Sequence, residues 1–303
     1  MIGKLLGEFP RPRTIALVGI APWALLSVLW IYRTWTRTSY DDWFVFTTFG
    51  VGVILALAAL SNPPVWIFGT RVVLALRCLV IAAIVASAIR FRSAADASAL
   101  SDEIVVVAVV ALLVAAIWLV TRASGRARID LHKPVDGDLI VTQGGRFGNH
   151  HKVSATQRWA ADILALGTDG RRAPAIAATH AEEYVIFGLD VHAPCDGVVA
   201  ECADGRPDNT DLNTPPTFSD AYGNFVAIAT DENVRVVLAH LQDGSIAVRE
   251  GDRVTVGQVV GRSGNSGRTT EPHLHLHCES DGVGVPFTID GHKLYRGARL
   301  RRR

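Results

Sequence analysis

Residues Gly264–Cys278 read GNSGRTTEPHLHLHC. Histidines at 273, 275 and 277 alternate with leucines at 274 and 276, and they are three of the 10 histidines in the chain. In an extended strand, residues i, i+2 and i+4 share a face. The spacing therefore predicts a strand with three imidazoles on one side and Leu274 and Leu276 on the other. Such a face is unusual for a core and well suited to a metal. Zinc takes about four ligands, one of them water in catalytic sites. The remaining protein ligands must come from elsewhere in the chain.

The segments before this strand have the pattern of short strands and turns. GVVAEC, NFVAIAT and VRVVLAHL are rich in β-branched residues. REGDRVTVGQVVGRSG alternates strand-like runs with glycine turns, where glycine supplies the positive φ that other residues resist. SATQRWAADILAL is compatible with a short helix, and its pattern leaves the choice open. RASGRARIDLHKPVDGD is polar and basic and reads as a linker. There is no internal repeat.

The first part of the chain is different. Hydrophobic residues make up 49% of the sequence, and the formal net charge is only +1. That charge provides no field of the kind that draws nucleic acid. Four apolar stretches stand out, at 14–32, 43–61, 72–90 and 103–121. As helices, each is long enough to cross a hydrocarbon core of about 30 Å. Their central runs, WALLSVLWIY, VGVILALAAL, LVIAAIVASAI and VVVAVVALLVAAIWLV, contain no acidic residue. They lack the polar stripe of helices in a soluble bundle. The first stretch is followed by RTWTRTSYDD rather than by a small-residue cleavage pattern, so it reads as a span and not as a signal peptide. The chain is expected to be α+β in two domains: a membrane anchor of four transmembrane helices over 1–128 and a mainly antiparallel β domain over 129–303.

Of the four cysteines, Cys78 lies in a predicted span and Cys195, Cys202 and Cys278 in the β region. Three cannot all pair internally, and none forms a CxxC zinc pattern, so they read as small buried hydrophobes. NHHKVSATQRWAAD places His150 and His151 upstream of Asp162, and VVLAHL ends a strand with His240. His180 lies in ATHAEEY and His192 in LDVHAPCDG. His132 and His292 have the polar flanks of surface residues. Spacing alone would let any two of these histidines meet the HLHLH strand.

Several motifs resemble, in order and spacing, the lysostaphin-type zinc metallopeptidases. They are VHAPCDGVV, YGNFVAI, LAHLQDGSI before VREGDRVTVGQVVG, and GRSGNSG before PHLHLH, within roughly Gly144 to Glu279. The resemblance implies a mainly antiparallel β peptidase domain, a bound Zn2+ and hydrolysis of peptide bonds in peptidoglycan stems or cross-links. Carried over residue by residue, it implies His275 as a zinc ligand, and His240 and His273 as catalytic histidines. The first motif departs from the family. Most members have H-x-x-x-D shortly before the A-P-x-x-G strand, whereas here Ile186 stands four residues before Asp190. GNHHKVSATQRWAAD instead resembles a subgroup with N-x-H…Q-R-W-A-x-D, which implies His151 and Asp162 as the other zinc ligands. His150 competes for this role, and Asp190 does so more remotely. His277, about 6.6 Å beyond His275 along a strand, is left with a structural or supporting role.

Two imidazoles and one carboxylate leave zinc an open position, and such a zinc lowers the pKa of a water from 15.7 to about 7. His240 and His273 are then expected to relay the proton and stabilise the oxyanion. The implied partners are peptidoglycan peptide and the lipid bilayer, with no nucleic acid. The basic stretches RARIDLHK and RGARLRRR read as solvated or headgroup-contacting tails. Two other functions fit the same motifs: a non-hydrolytic regulator that binds cell-wall peptide, and a membrane-tethered protease with a protein substrate. The expected location is a bacterial inner or plasma membrane, multi-pass. Four spans would put Lys4, Arg11, Arg13, Arg71, Arg122, Arg126 and Arg128 on the side of the catalytic domain, against Arg33, Arg37, Arg90 and Arg92 opposite. That bias favours a cytoplasmic domain, while a wall substrate requires the outside. Three crossing spans would reconcile the two, and an extracytoplasmic catalytic domain is the expectation adopted.

Overall fold

The computed structural model describes residues 28–61, 107–116 and 126–300 apart from 146–148, 177 and 215–219, with isolated positions at 78, 82, 85, 86 and 119. Leu17–Thr121 form one compact unit, and the chain from Arg122 onward belongs to a second.

In the first unit, residues 28–35 and 107–116 are helical and a 22-residue helix spans Tyr40–Ser61. Ser39 starts the long helix by accepting the Asp42 amide at 3.2 Å, and Asp41 and Asp42 lie in its first turn, where negative charge suits the helix dipole. Gly50 and Gly52 leave the room taken by the Trp30 indole and the Val110 side chain. The helix coincides with the second predicted span, and its side chains are described as far as Val53. Most of the other three predicted spans lies outside the described residues. Among the described residues, no helix is long and apolar enough to cross a membrane.

The second unit is built almost wholly of strands. They are β1 (Ile129–Leu131), β2 (Asp138–Gln143), β3 (Ala161–Leu166), β4 (Asp190–His192), β5 (Gly197–Ala203), β6 (Asn224–Ala229) and β7 (Arg235–Leu241). They continue with β8 (Arg253–Val254), β9 (Val259–Arg262), β10 (Leu274–Ser280), β11 (Val283–Gly284), β12 (Phe287–Ile289), β13 (His292–Lys293) and β14 (Arg299–Leu300). The main sheet has the order β14-β2-β3-β10-β7-β6-β5-β8, with β11 also paired to β10. Every pairing in it is antiparallel. β4 and β9 form a separate hairpin-like pair, and β1, β12 and β13 a small sheet in which β1 and β12 run parallel.

One reading left open is resolved and one expectation is corrected. The stretch SATQRWAADILAL is a turn followed by β3, not a helix. Its apolar half, ADILAL, is buried at every position in the interior of the sheet between β2 and β10, and a continuous apolar run fits a strand covered on both faces. The supposed linker contains β1, which is held because Ile129, Asp130 and Leu131 pair with Phe287, Thr288 and Ile289.

β10 is central and buried over Leu274–Glu279. Leu274, Leu276 and Cys278 lie on one face, all with zero exposure. On the opposite face His275 and His277 align with Ala239 and Val237 of β7, and these with Phe225 and Ala227 of β6. Those four β6 and β7 residues form an apolar cluster against which Tyr222 packs. The histidine face is therefore continuous with an apolar patch rather than open to water along its length. The expectation of a histidine-bearing strand with alternating leucines is met for His275 and His277, whereas His273 stands just before β10.

Candidate metal and catalytic centre

Asp162 is the hub of the site. It lies on β3 directly opposite His275 of β10, and His275 Nδ1 stands 3.0 Å from Asp162 Oδ1. His151 Nε2 reaches both carboxylate oxygens, at 3.0 and 2.9 Å. His273 Nε2 lies 3.5 Å from Oδ1. Three imidazoles thus converge on one buried carboxylate.

His151 is delivered by a short 3-10 turn, His150–Val153. Asn149 organises that turn. It is buried, its Oδ1 accepts the His151 amide at 3.0 Å, and its Nδ2 donates to the Ala160 carbonyl at 3.0 Å. This one side chain ties the turn to the start of β3, so His151 and Asp162 meet although 11 residues separate them. The sequence reading gave Asn149 no role. A signal existed, since asparagine is a preferred cap before a helical turn.

His240 is the penultimate residue of β7 and has φ +63. This left-handed conformation is uncommon outside glycine, and histidine is among the residues enriched in it. The backbone is held there from both sides: the His240 amide donates to the Tyr222 carbonyl at 2.9 Å, and Gly264 donates to the His240 carbonyl at 3.0 Å. A register shift between Asn224 and Phe225 on β6 accompanies the turn. Regular alternation would place residue 240 on the face opposite to His275, because Ala239 is the partner of His275. The turned backbone instead brings the His240 ring 4.7 Å from that of His273 and 5.7 Å from that of His275.

The two catalytic candidates have the same tautomer. His240 Nδ1 lies 2.9 Å from the Ser266 carbonyl, and His273 Nδ1 lies 2.8 Å from the Glu271 carbonyl. A carbonyl only accepts, so Nδ1 donates in each ring. In the neutral form Nε2 is then the unprotonated nitrogen. Thr269 adds a hydroxyl 3.1 Å from His273 Nδ1 and donates to the Glu271 carbonyl. Glu271 is in turn clamped by buried Arg172 at 2.9 Å and by the Tyr184 hydroxyl at 3.1 Å. Tyr184, Arg172, Thr269 and Ser266 were not singled out from the sequence.

Charge follows from this geometry. Burial pushes the Asp162 carboxyl up, but the His273 charge and hydrogen bonds from His151, His273 and His275 outweigh it and hold the group well below the usual carboxylate range. Burial drives His240 well below 6.5, and neighbouring His273 and His275 add to the shift. Burial lowers His275 as well, against its hydrogen bond to Asp162. For His273 the order reverses: burial lowers it, but the Asp162 charge and hydrogen bond prevail and raise it.

The donor set suits zinc. Two imidazole nitrogens and a carboxylate oxygen are common zinc ligands, and ligands about 2.1 Å from one tetrahedral ion lie roughly 3.4 Å apart. The nitrogen–oxygen separations of 2.9 to 3.0 Å around Asp162 are close to that value. Among the described residues, the trio whose ligand atoms all lie within 4.8 Å of one another is His150, His151 and Asp162. His150 is exposed, its ring lying 3.9 Å from that of His151. His275 is buried and paired in register with Asp162, and so is the alternative candidate for a third ligand. Asp190 is exposed on β4 and faces Arg262 at 3.4 Å. His180 bridges to Asp211 and His192 sits on β4. His132 lies 3.7 Å from Asp290 with its side chain largely exposed, and His292 is exposed on β13. Cys195, Cys202 and Cys278 are free thiols.

Comparison with known proteins shows what this part of the chain is similar to. The model of Peptidase family M23 matches residues 184–286, from Tyr184 to Pro286. His240, His273 and His275 fall inside it, and His151 and Asp162 precede it. Among individual proteins, the chain is 37% identical over 98 residues to the DD-carboxypeptidase/endopeptidase Mpg of Neisseria meningitidis serogroup B, over 32% of this chain and 21% of that protein. The chain thus spans only about a fifth of the length of this relative. Similar solved structures include a putative peptidase M23 from Pseudomonas aeruginosa, at 21% identity over 54% of this chain and 51% of that one, with a TM-score of 0.32. A zinc containing peptidase from Vibrio cholerae is 20% identical over 54% of this chain and 38% of that one, with a TM-score of 0.29.

Proposed function

We propose that the chain is a zinc-dependent endopeptidase acting on peptidoglycan peptides, tethered to a bacterial membrane with its β domain outside the cytoplasm. The observation that carries this reading is the convergence of His151, His275 and His273 on the Asp162 carboxylate. The M23 match over 184–286 supports a peptidase, and the similarity to a DD-carboxypeptidase/endopeptidase supports the substrate class.

His151, Asp162 and His275 would hold the ion. Zinc there supplies Lewis acidity, lowering the pKa of a water from 15.7 to about 7 and polarising the scissile carbonyl. The Ser266 carbonyl fixes the His240 tautomer so that Nε2 is free to take a proton. His273, anchored by Glu271 and Thr269 and standing beside Asp162, is placed to hold positive charge against a developing oxyanion and to return a proton to the leaving amine. Both rings are preorganised by hydrogen bonds to backbone carbonyls, which require no reorganisation during the reaction.

Membrane tethering rests on the apolar runs of residues 14–121 and on exposed apolar side chains among the described residues. Val28, Leu29, Tyr32, Val45, Phe49, Leu112 and Leu113 are large apolar side chains on helical segments, and all are exposed. Large apolar side chains exposed on helices suit contact with a partner or with lipid.

The test uses the full chain in detergent, incubated with purified peptidoglycan with and without a chelator, then with zinc restored. Mass spectrometry of the soluble fraction should show released peptides with new amino termini, abolished by the chelator and recovered with zinc. Cleavage of protein substrates but not of peptidoglycan would transfer the reading to a membrane-tethered protease. Full zinc occupancy without any hydrolysis would leave the non-hydrolytic regulator.

A further inference from the structure

His277 is the one imidazole of the HLHLH strand with neither a ligand nor a catalytic role. It has zero exposure. Its strand partner is Val237, which itself pairs with Ala227, so its cross-strand neighbours are apolar, while His275 and Glu279 flank it along β10. The Tyr222 ring stacks over it at 5.5 Å and 28°. Its Nδ1 lies 3.1 Å from His275 Nε2, and its own Nε2 is buried without a hydrogen-bond partner. A leucine would fill such a place without leaving a polar atom unsatisfied. The one polar contact that an imidazole makes here and a leucine does not is the hydrogen bond to His275.

That bond decides which nitrogen of His275 is free. Two ring nitrogens 3.1 Å apart share a single proton. If His277 Nδ1 carries it, His275 Nε2 accepts, and the neutral His275 ring has its own proton on Nδ1, facing Asp162. If His275 Nε2 carries it, His277 Nδ1 accepts, and His275 Nδ1 is a bare lone pair 3.0 Å from the Asp162 carboxylate. Only the second arrangement lets His275 and Asp162 bind one cation together. Ring tautomers of metal ligands are commonly set by a partner on the distal nitrogen.

The geometry points to His277 as a positioning residue, which accepts the Nε2 proton of His275 and so presents His275 Nδ1 to the metal. This inference rests on the reading of the cluster as a zinc centre. Asparagine at 277 retains an acceptor near the Nδ1 position, whereas leucine removes it.

The experiment compares the full chain with its H277L and H277N variants in detergent. Zinc affinity is measured by competition with a chromophoric chelator, and the zinc-free melting temperature controls for folding. H277L should bind zinc about 10- to 100-fold more weakly, the usual cost of losing such a partner, and H277N should recover to within about threefold of the parent chain. Equal affinity in H277L and the parent overturns the positioning role and leaves the zinc reading standing. Equal loss in H277L and H277N also overturns it, because the role is then packing. If the parent chain binds no zinc, the underlying reading fails instead. Should H277L not fold, H277F fills the space of the ring without an acceptor and is compared with H277N in the same way.

Discussion

His275 and Asp162 stand directly opposite each other on neighbouring antiparallel strands, with Nδ1 3.0 Å from Oδ1. Directly opposed residues have Cβ atoms only about 4.5–5.5 Å apart. Two ligands of the proposed zinc are therefore brought together by backbone pairing, before any rotamer is chosen. His151 arrives on a turn that Asn149 pins to the same strand. Precision of this kind is what a metal centre needs from its scaffold.

Removing one of these three ligands should empty the site, because two protein ligands hold zinc poorly. Alanine at His151, Asp162 or His275 is expected to abolish stoichiometric zinc in the purified full chain, read by metal analysis. Asp190→Ala should retain it. Loss of zinc in Asp190→Ala with retention in Asp162→Ala would reverse the choice of carboxylate.

His240→Ala and His273→Ala should keep zinc and lose turnover by about two to three orders of magnitude, the cost of removing a proton-transfer or oxyanion-stabilising group. Steady-state hydrolysis of peptidoglycan, alongside metal content, separates this from loss of the ion. Turnover within tenfold of the parent in either variant would remove that histidine from the mechanism.

The zinc-free protein should lose stability as the pH falls from 7 to 5. His240 and His275 have folded-state pKa values below 6.5, and burial has pushed His277 down to about 2. Below 6.5 the unfolded chain binds protons that the folded chain refuses, so unfolding is favoured. Each such group contributes at most about 1.36 kcal/mol per pH unit. His273 acts with the opposite sign: its raised pKa stabilises the fold most below 6.5, and that stabilisation is lost as the pH rises through its folded value. Burial also lowers His150, to about 4, so four groups outnumber one and the urea midpoint should fall. A midpoint that is flat or rises between pH 7 and 5 contradicts this balance.

Gly223 should not tolerate alanine. It has φ +63, and a Cβ there would run into the Ser266 carbonyl and the Gly267 amide. The same contact brings together the Tyr222 carbonyl that binds the His240 amide and the Ser266 carbonyl that binds its ring. Gly223→Ala is expected to cost roughly 1–3 kcal/mol from strain and to lower turnover as His240 shifts. Parent-like unfolding and activity would show that the loop relaxes freely.

The side of the membrane can be read by labelling. A cysteine at Ser124, with Cys78 and Cys202 replaced by alanine, should react with a membrane-impermeant thiol reagent in intact cells. The remaining Cys195 and Cys278 are buried. Reaction only after lysis would place the β domain in the cytoplasm and withdraw peptidoglycan as its substrate.

Alternation by itself determined β10. Its periodicity of two is a local property, and HLHLH carries it without reference to the rest of the chain. The same holds for the β-branched runs that became β5, β6 and β7. Boundaries were weaker where the pattern was ambiguous: ADILAL became a strand because β2 and β10 flank it, a neighbourhood that no local window contains. The hydrogen bond between His275 and Asp162 spans 113 positions. From the sequence, that pairing followed from family resemblance and not from spacing. The position of His240 was still less accessible. By simple alternation its ring belongs on the other face of β7, and it reaches the site because bonds to Tyr222 and Gly264 hold its backbone at φ +63. Chemistry-bearing residue types and strand periodicity are written locally, so the sequence alone determined them. Which strand lies beside which, and which backbone is twisted against its preference, depends on bonds between distant residues, so only the tertiary structure decided them.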